Sequence, residues 1–194
     1  MITTAVAFVL ETLFGLFVLA ALVRFWMQAF RAPAGNPIAQ FTMALTNWAV
    51  KPLRRVIPGV MKLDWASLVM ALALEFILQV LLFLLATGIA PKPTVLSALL
   101  FLAFVKLIRL SIYIFIVVII AQAVMSWVNP YHPAAPFFNS LSRPFMRPVQ
   151  KVIPTIGGVD ISPIFVLIFL QLLLMLPVTW LEGEALRLAR AAAM

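Results

Sequence analysis

Four stretches of this chain, residues 4–30, 65–89, 101–128 and 161–181, are long, apolar and nearly free of charge. A helix needs about 20 such residues to cross the hydrocarbon of a bilayer, and a backbone in lipid must satisfy its own polar groups, so each stretch predicts a transmembrane helix. The expected fold class is therefore all-α: a polytopic membrane protein with four transmembrane helices. Hydrophobic side chains make up 65% of the chain and charged ones 10%, against about 25% charged in soluble domains. A domain of 194 residues could not hide that much apolar surface from water. The 16 Phe and 5 Trp exclude a disordered chain. The third stretch is interrupted by Lys106 and Arg109. Residues 94–100 read as an interfacial lead-in after the turn Pro91-Lys92-Pro93, with both cations snorkelling to a membrane surface.

Charge supplies the expected orientation. The net charge of +8 would suggest nucleic acid in a soluble protein, but beside apolar spans it reads as topology and contact with anionic lipid headgroups. Arg31, Lys51, Arg54, Arg55, Lys62, Arg143, Arg147 and Lys151 flank the spans on one side, and Lys92, Lys106, Arg109, Arg187 and Arg190 on the other. Positive-inside bias places the first group in the cytoplasm and both termini outside. The N-terminus lacks a basic leader and carries Glu11 within its apolar stretch, which predicts an uncleaved anchor. No cysteine is present, so disulfides and thiol chemistry are excluded.

A shift of 96 positions lays Lys51-Pro52-Leu53-Arg54-Arg55-Val56-Ile57-Pro58 onto Arg147-Pro148-Val149-Gln150-Lys151-Val152-Ile153-Pro154, and Asp64 onto Asp160 without a gap. One inserted residue upstream brings Pro33 to Pro130. Such self-similarity predicts two tandem units, residues 1–90 and 91–181, followed by a tail at 182–194. Each unit is a span, a basic Pro-bounded loop and a second span. Two crossings separate equivalent points, so the repeats are expected to be parallel.

These residues resemble the YggT family of small bacterial and plastid membrane proteins, also called YlmG-like. The resemblance runs from about Leu10 to about Leu176. Its carriers are Arg24-Phe25-Trp26-Met27-Gln28, Asn36-Pro37-Ile38-Ala39-Gln40-Phe41, Pro52 to Pro58 followed by Asp64, Met125-Ser126-Trp127, and Arg147 to Pro154 followed by Asp160-Ile161-Ser162-Pro163. Gln150, where the repeat favours Arg, and Asn47-Trp48, ahead of the first basic loop, depart from the pattern and set the halves apart. The resemblance implies an integral protein of the bacterial inner membrane. It further implies a part in membrane-complex assembly (haem attachment to a cytochrome in plastid relatives), in envelope organisation, or in tolerance of osmotic stress.

Two groups of candidate residues follow. Pro52 and Pro58 bracket a single stiff turn, with Leu53, Val56 and Ile57 on one side and Arg54 and Arg55 on the other. With residues 38–50 upstream, this makes an interfacial amphipathic shelf. Lys51, Arg54, Arg55, Arg147 and Lys151 are its candidate contacts to lipid or a partner protein, and plain membrane anchoring explains the same residues. The second group is polar and intramembrane: Arg24, Glu75, Gln122, Gln171, Glu11 and Arg109. Counting from the helix ends puts Arg24 about 10 Å deep and Glu75 about 16 Å deep, which predicts an ion pair between them. Gln122 and Gln171 would form its neutral counterpart in the second half, and Glu11 would meet Arg109 across the halves.

Glu75 with Gln79 one turn on could instead serve a proton or cation path. Asp64 and Asp160 are expected to cap the second and fourth spans. His132 lacks a second ligand or a paired carboxylate in sequence and reads as a solvated loop residue. No nucleophile and base set, metal cluster or Gly-rich phosphate loop is present, so neither an enzyme nor a cofactor or metal is expected. The implied partners are anionic lipids and other membrane proteins, not nucleic acid. The alternative is a channel or carrier subunit, which with four spans would require a homo-oligomer.

Overall fold

The computed structural model describes residues 1–57, 59, 63–129, 131–153 and 160–193, and among these every regular element is helical. Pro58, Lys62, Pro130 and Pro154, which entered the reading of the loops, lie outside the described residues. Four long helices are long and apolar enough to cross a membrane: α1 (Ile2–Ala29), α3 (Trp65–Thr87), α4 (Pro93–Val128) and a composite last helix over Ser162–Ala193. Two amphipathic helices, α2 (Pro37–Val56) and α5 (Ala135–Gln150), stand between them.

The helix ends follow from their sequences. α1 stops in a Schellman turn, where the N–H groups of Ala32 and Arg31 bond the carbonyls of Met27 (2.8 Å) and Gln28 (3.2 Å). Arg31 takes the left-handed position of that turn at φ 53°, a place usually held by glycine. α2 begins at Asn36, whose side-chain oxygen accepts from the Ala39 N–H at 2.9 Å, with Pro37 preset for the first turn. α3 ends at Gly88, φ 69°.

Three expectations about boundaries are corrected. α2 runs unbroken through Pro52, so the segment from Leu53 to Ile57 is no separate turn. Residues 94–100, expected as a lead-in separate from the third span, are the first turns of α4. At 36 residues α4 is one rod of about 54 Å. The tail is likewise no separate unit. α6 (Ser162–Leu173) passes through a π-turn at Leu174–Val178 into α7 (Thr179–Ala193). Pro177 lies in that turn, and the Thr179 hydroxyl donates to the Leu174 carbonyl at 2.7 Å.

Packing uses small residues to bring backbones close, with Ala21, Ala71, Ala103 and Ala185 fully buried. α1, α2 and α3 share one core around Val18, Leu22, Val50 and Met70, which Ile114 and Val118 of α4 and Phe137 and Leu141 of α5 complete. α4, α5 and α6 share another around Ile119, Met146, Val166 and Leu170. α7 seats Ala185 and Ala189 against Val95, Ala98 and Leu102 of α4. An aromatic joint ties the two cores: Phe115 lies 4.9 Å from Trp26 and 4.5 Å from Phe145, ring centre to ring centre. Trp26 also donates its indole N–H to the Ser111 hydroxyl at 3.1 Å. Because Phe30, just past α1, also faces Phe145 of α5 at 6.4 Å, α5 lies at the same end of the bundle as the end of α1.

Candidate functional site

α2 lies against the last turns of α1, with Phe17 edge-on to Trp48. This arrangement brings the inner face of α2 over Arg24. Arg24 is 8% exposed, and its guanidinium donates through Nη1 to Thr46 Oγ1 (2.7 Å) and Asn47 Oδ1 (3.0 Å). Its Nε stands 3.4 Å from Oδ2 of Asp64. The Thr46 hydroxyl in turn donates to the Thr42 carbonyl at 2.8 Å, so the chain of donors and acceptors closes.

Asp64 is the centre of the cluster and is 2% exposed. It caps α3, accepting from the Ser67 N–H (3.4 Å) and Ser67 hydroxyl (2.6 Å). Arg54 grips the same carboxylate with both Nε (3.2 Å to Oδ1) and Nη2, and Nη2 reaches Gln28 Oε1 at 3.1 Å. Burial alone would favour the neutral acid. The hydrogen bonds from Arg54 and Ser67 and the charges of both arginines outweigh it and hold Asp64 below the ordinary carboxylate range. The Asp64 hydrogen bond in turn pushes the Arg54 guanidinium above its usual value.

Beside this cluster opens a cleft of about 670 Å³. Its walls are Arg24, Gln28, Arg31 and Arg54, with Met27 and Met43 as the main apolar contribution. Lys51 and Arg55 project outward from α2, and Arg147 and Lys151 project from α5 and its end, all exposed.

A related contact, with an amide in place of the guanidinium, stands ahead of the last long helix. Gln150 Nε2 donates to Asp160 Oδ2 at 2.7 Å, and Asp160 Oδ1 accepts from the Ser162 N–H at 2.9 Å. Burial opposes ionisation of Asp160 too, and the bonds from Ser162 and Gln150 prevail, so its carboxyl also lies low.

Three expected pairs do not form. Arg24 goes to Asp64 rather than Glu75, because a long side chain near a helix end reaches toward the water-facing end of the neighbouring helix and not further into the apolar layer. Glu75 instead accepts from Gln79 Nε2 at 2.7 Å, with both residues buried and Lys106 and Glu11 within electrostatic reach. Arg109 meets Glu182 at 2.7 Å and Thr179 Oγ1 at 3.2 Å, not Glu11, because the last helix continues past Leu181 and carries both partners alongside α4. Gln122 and Gln171 stay apart. The Gln122 carbonyl oxygen is buried without a partner among the described residues, while α6 turns Gln171 to the outside.

His132 is exposed and accepts the Ala134 N–H at 3.1 Å, a local turn contact. Among the described residues no group of three or more His, Cys, Asp or Glu could hold a metal. Sequence reasoning missed Gln28, Thr46, Asn47, Ser67 and Glu182. The signal for Ser67 was present, since a hydroxyl three residues after a capping Asp is placed to share its carboxylate.

Comparison with known proteins finds one family model and several similar sequences. A family model described as CCB3/YggT matches residues 3–85 and 101–181. An uncharacterised protein of Pseudomonas aeruginosa is 36% identical over 194 residues, covering 90% of this chain and 89% of its own. The uncharacterised protein YggT of Escherichia coli K12 is 35% identical over 167 residues, covering 86% and 85%. An uncharacterised protein of Vibrio alginolyticus is 33% identical over 168 residues, covering 86% and 90%. No solved structure matches the chain.

Proposed function

The chain belongs to the CCB3/YggT family, and from that premise we propose that it is a non-enzymatic scaffold of the bacterial inner membrane that holds partner membrane proteins during complex assembly or envelope organisation. The observation that carries this reading is Gln171. It lies nine residues into α6 from Ser162, about 14 Å from that end, and is exposed. Its side chain has no hydrogen bond to the described residues, and Phe165, Ile168, Phe169 and Met175 around it are exposed as well. A polar side chain at that depth belongs against another helix that can bond it. The amphipathic helices support the same reading, with Lys51, Arg54, Arg55, Arg147 and Lys151 resting on anionic headgroups of the cytoplasmic leaflet and both termini outside. The order of long, amphipathic and long helix, met twice, and the Arg54 to Asp64 and Gln150 to Asp160 contacts support two parallel copies of one unit.

The test is a photoreactive residue at Ile168 or Met175 in cells. The expected result is an adduct with a second polypeptide, a partner protein or another copy of this chain, whose yield falls when Gln171→Leu is added. Adducts to lipid alone would overturn the reading.

A second reading, ion movement under osmotic stress by an oligomer, is favoured by one feature. The buried Glu75 and Gln79 pair adjoins a cavity of about 550 Å³ bordered by Gln79, Thr87, Leu99, Ala189 and Arg190. Purified protein in liposomes that moves K⁺ or H⁺, with flux lost in Glu75→Gln, would select it over the scaffold.

A further inference from the structure

The cleft at the end of α1 holds more positive charge than its own structure uses. Three guanidiniums, from Arg24, Arg31 and Arg54, line it, and the carboxylate that balances them is Asp64, which already accepts from Arg54, Ser67 and Arg24. Two positive charges are left over. Among the described residues neither the Arg31 guanidinium nor Nη1 of Arg54 has a partner.

The backbone points to the same place. Arg31 occupies a left-handed position that costs a side chain about 1–2 kcal/mol, and the Schellman bonds it makes need only the backbone. Strain at a residue whose side chain has no partner among the described residues points to a role outside the fold itself. The same bonds occupy the carbonyls of Met27 and Gln28, which at a helix C-terminus would otherwise repel an anion.

We propose that this cleft is a binding site for one phosphate-bearing anion, gripped by Arg31 and Arg54 and backed by Arg24 and Gln28. Arginine forks match phosphate oxygens in pairs, and the fixed partners of Arg24 and Arg54 hold two of the three guanidiniums ready before the ligand arrives. Met27 and Met43 give the cleft an apolar wall that suits the glycerol end of a phospholipid headgroup. The site does not depend on the scaffold reading, since a chain that docked no partner would still carry it.

The test uses the purified full-length protein in detergent, titrated separately with phosphatidylglycerol, phosphatidylcholine and inorganic phosphate and read by native mass spectrometry. One phosphate-bearing ligand per chain is expected, weakened about tenfold or more by loss of one charge-assisted contact in Arg31→Gly and in Arg31→Gln. Arg31→Gly relieves the backbone strain, so its thermal midpoint should equal or exceed that of the parent, which separates lost binding from lost folding. Arginine-dependent binding of phosphatidylglycerol that inorganic phosphate does not displace identifies a lipid. Arginine-dependent binding of inorganic phosphate alone identifies a free anion. Binding unchanged in Arg31→Gly, or equal for phosphatidylglycerol and phosphatidylcholine with none for phosphate, would overturn the proposal.

Discussion

Arg24 and Asp64 face each other at 3.4 Å, one from the last turns of α1 and the other at the start of α3, both nearly sealed from solvent. Neither is left with an unpaired charge. Arg24 is further held by Thr46 and Asn47, and Asp64 by Arg54 and Ser67, so one carboxylate fastens three helices.

Removing that carboxylate should therefore cost more than removing its counterpart. Asp64→Ala leaves Arg24 buried and uncompensated, which predicts a loss of about 3–5 kcal/mol. Asp160→Ala breaks bonds to an amide and a backbone N–H only, which predicts about 1 kcal/mol. Denaturant unfolding in detergent, followed by tryptophan fluorescence, measures both.

The same carboxylate gives stability a pH dependence whose sign is fixed. The folded value of Asp64 lies below the unfolded one, so the unfolded chain binds more protons in between and its contribution disappears as pH falls. Unfolding midpoints should be level above about pH 5 and decline as pH drops below the ordinary carboxylate value of about 3.9. Asp64→Asn should lower the plateau and flatten most of the decline. A residual slope is expected from Asp160, whose shift has the same direction. A decline as steep in Asp64→Asn as in the parent would refute the assignment.

The Trp26 to Ser111 hydrogen bond joins the two cores from opposite sides. Trp26→Phe and Ser111→Ala should each cost about 0.5–1.5 kcal/mol, and the double variant no more than the larger single one, because a lost bond cannot be lost twice. Additive losses would show that the indole acts through its packing alone.

Because the chain has no cysteine, introduced pairs report distances without background. Cysteines replacing Arg109 and Glu182 should cross-link with a short bifunctional reagent. The pair at Glu11 and Arg109 should react far less. Equal yields would contradict the course of the last helix beside α4.

The spans and the all-helical class were legible because an apolar run long enough to cross lipid has few other folds open to it. The pairing of charges was not. Depth counted along each helix sets where a side chain starts but not which way it reaches, and Arg24 turns toward the start of α3 and finds Asp64 there. Asp64 itself was read as a cap, which it is, but a cap buried to 2% exposure can also bind two arginines. The last span was expected to stop at Leu181, where the charge-free run ends, yet the helix continues through Glu182 and Gly183. A single helical glycine costs only about 1 kcal/mol, and Arg109 neutralises the glutamate.

α4 is longer than the layer it crosses. Its 36 residues make about 54 Å of rod against about 30 Å of hydrocarbon, and even a lean of about 40° absorbs only part of that excess. α5 folds back against it, with Phe145 on Phe115, so the surplus is braced. Trp127, exposed and one residue short of the end of α4, is therefore carried on a braced segment and not on a free helix end.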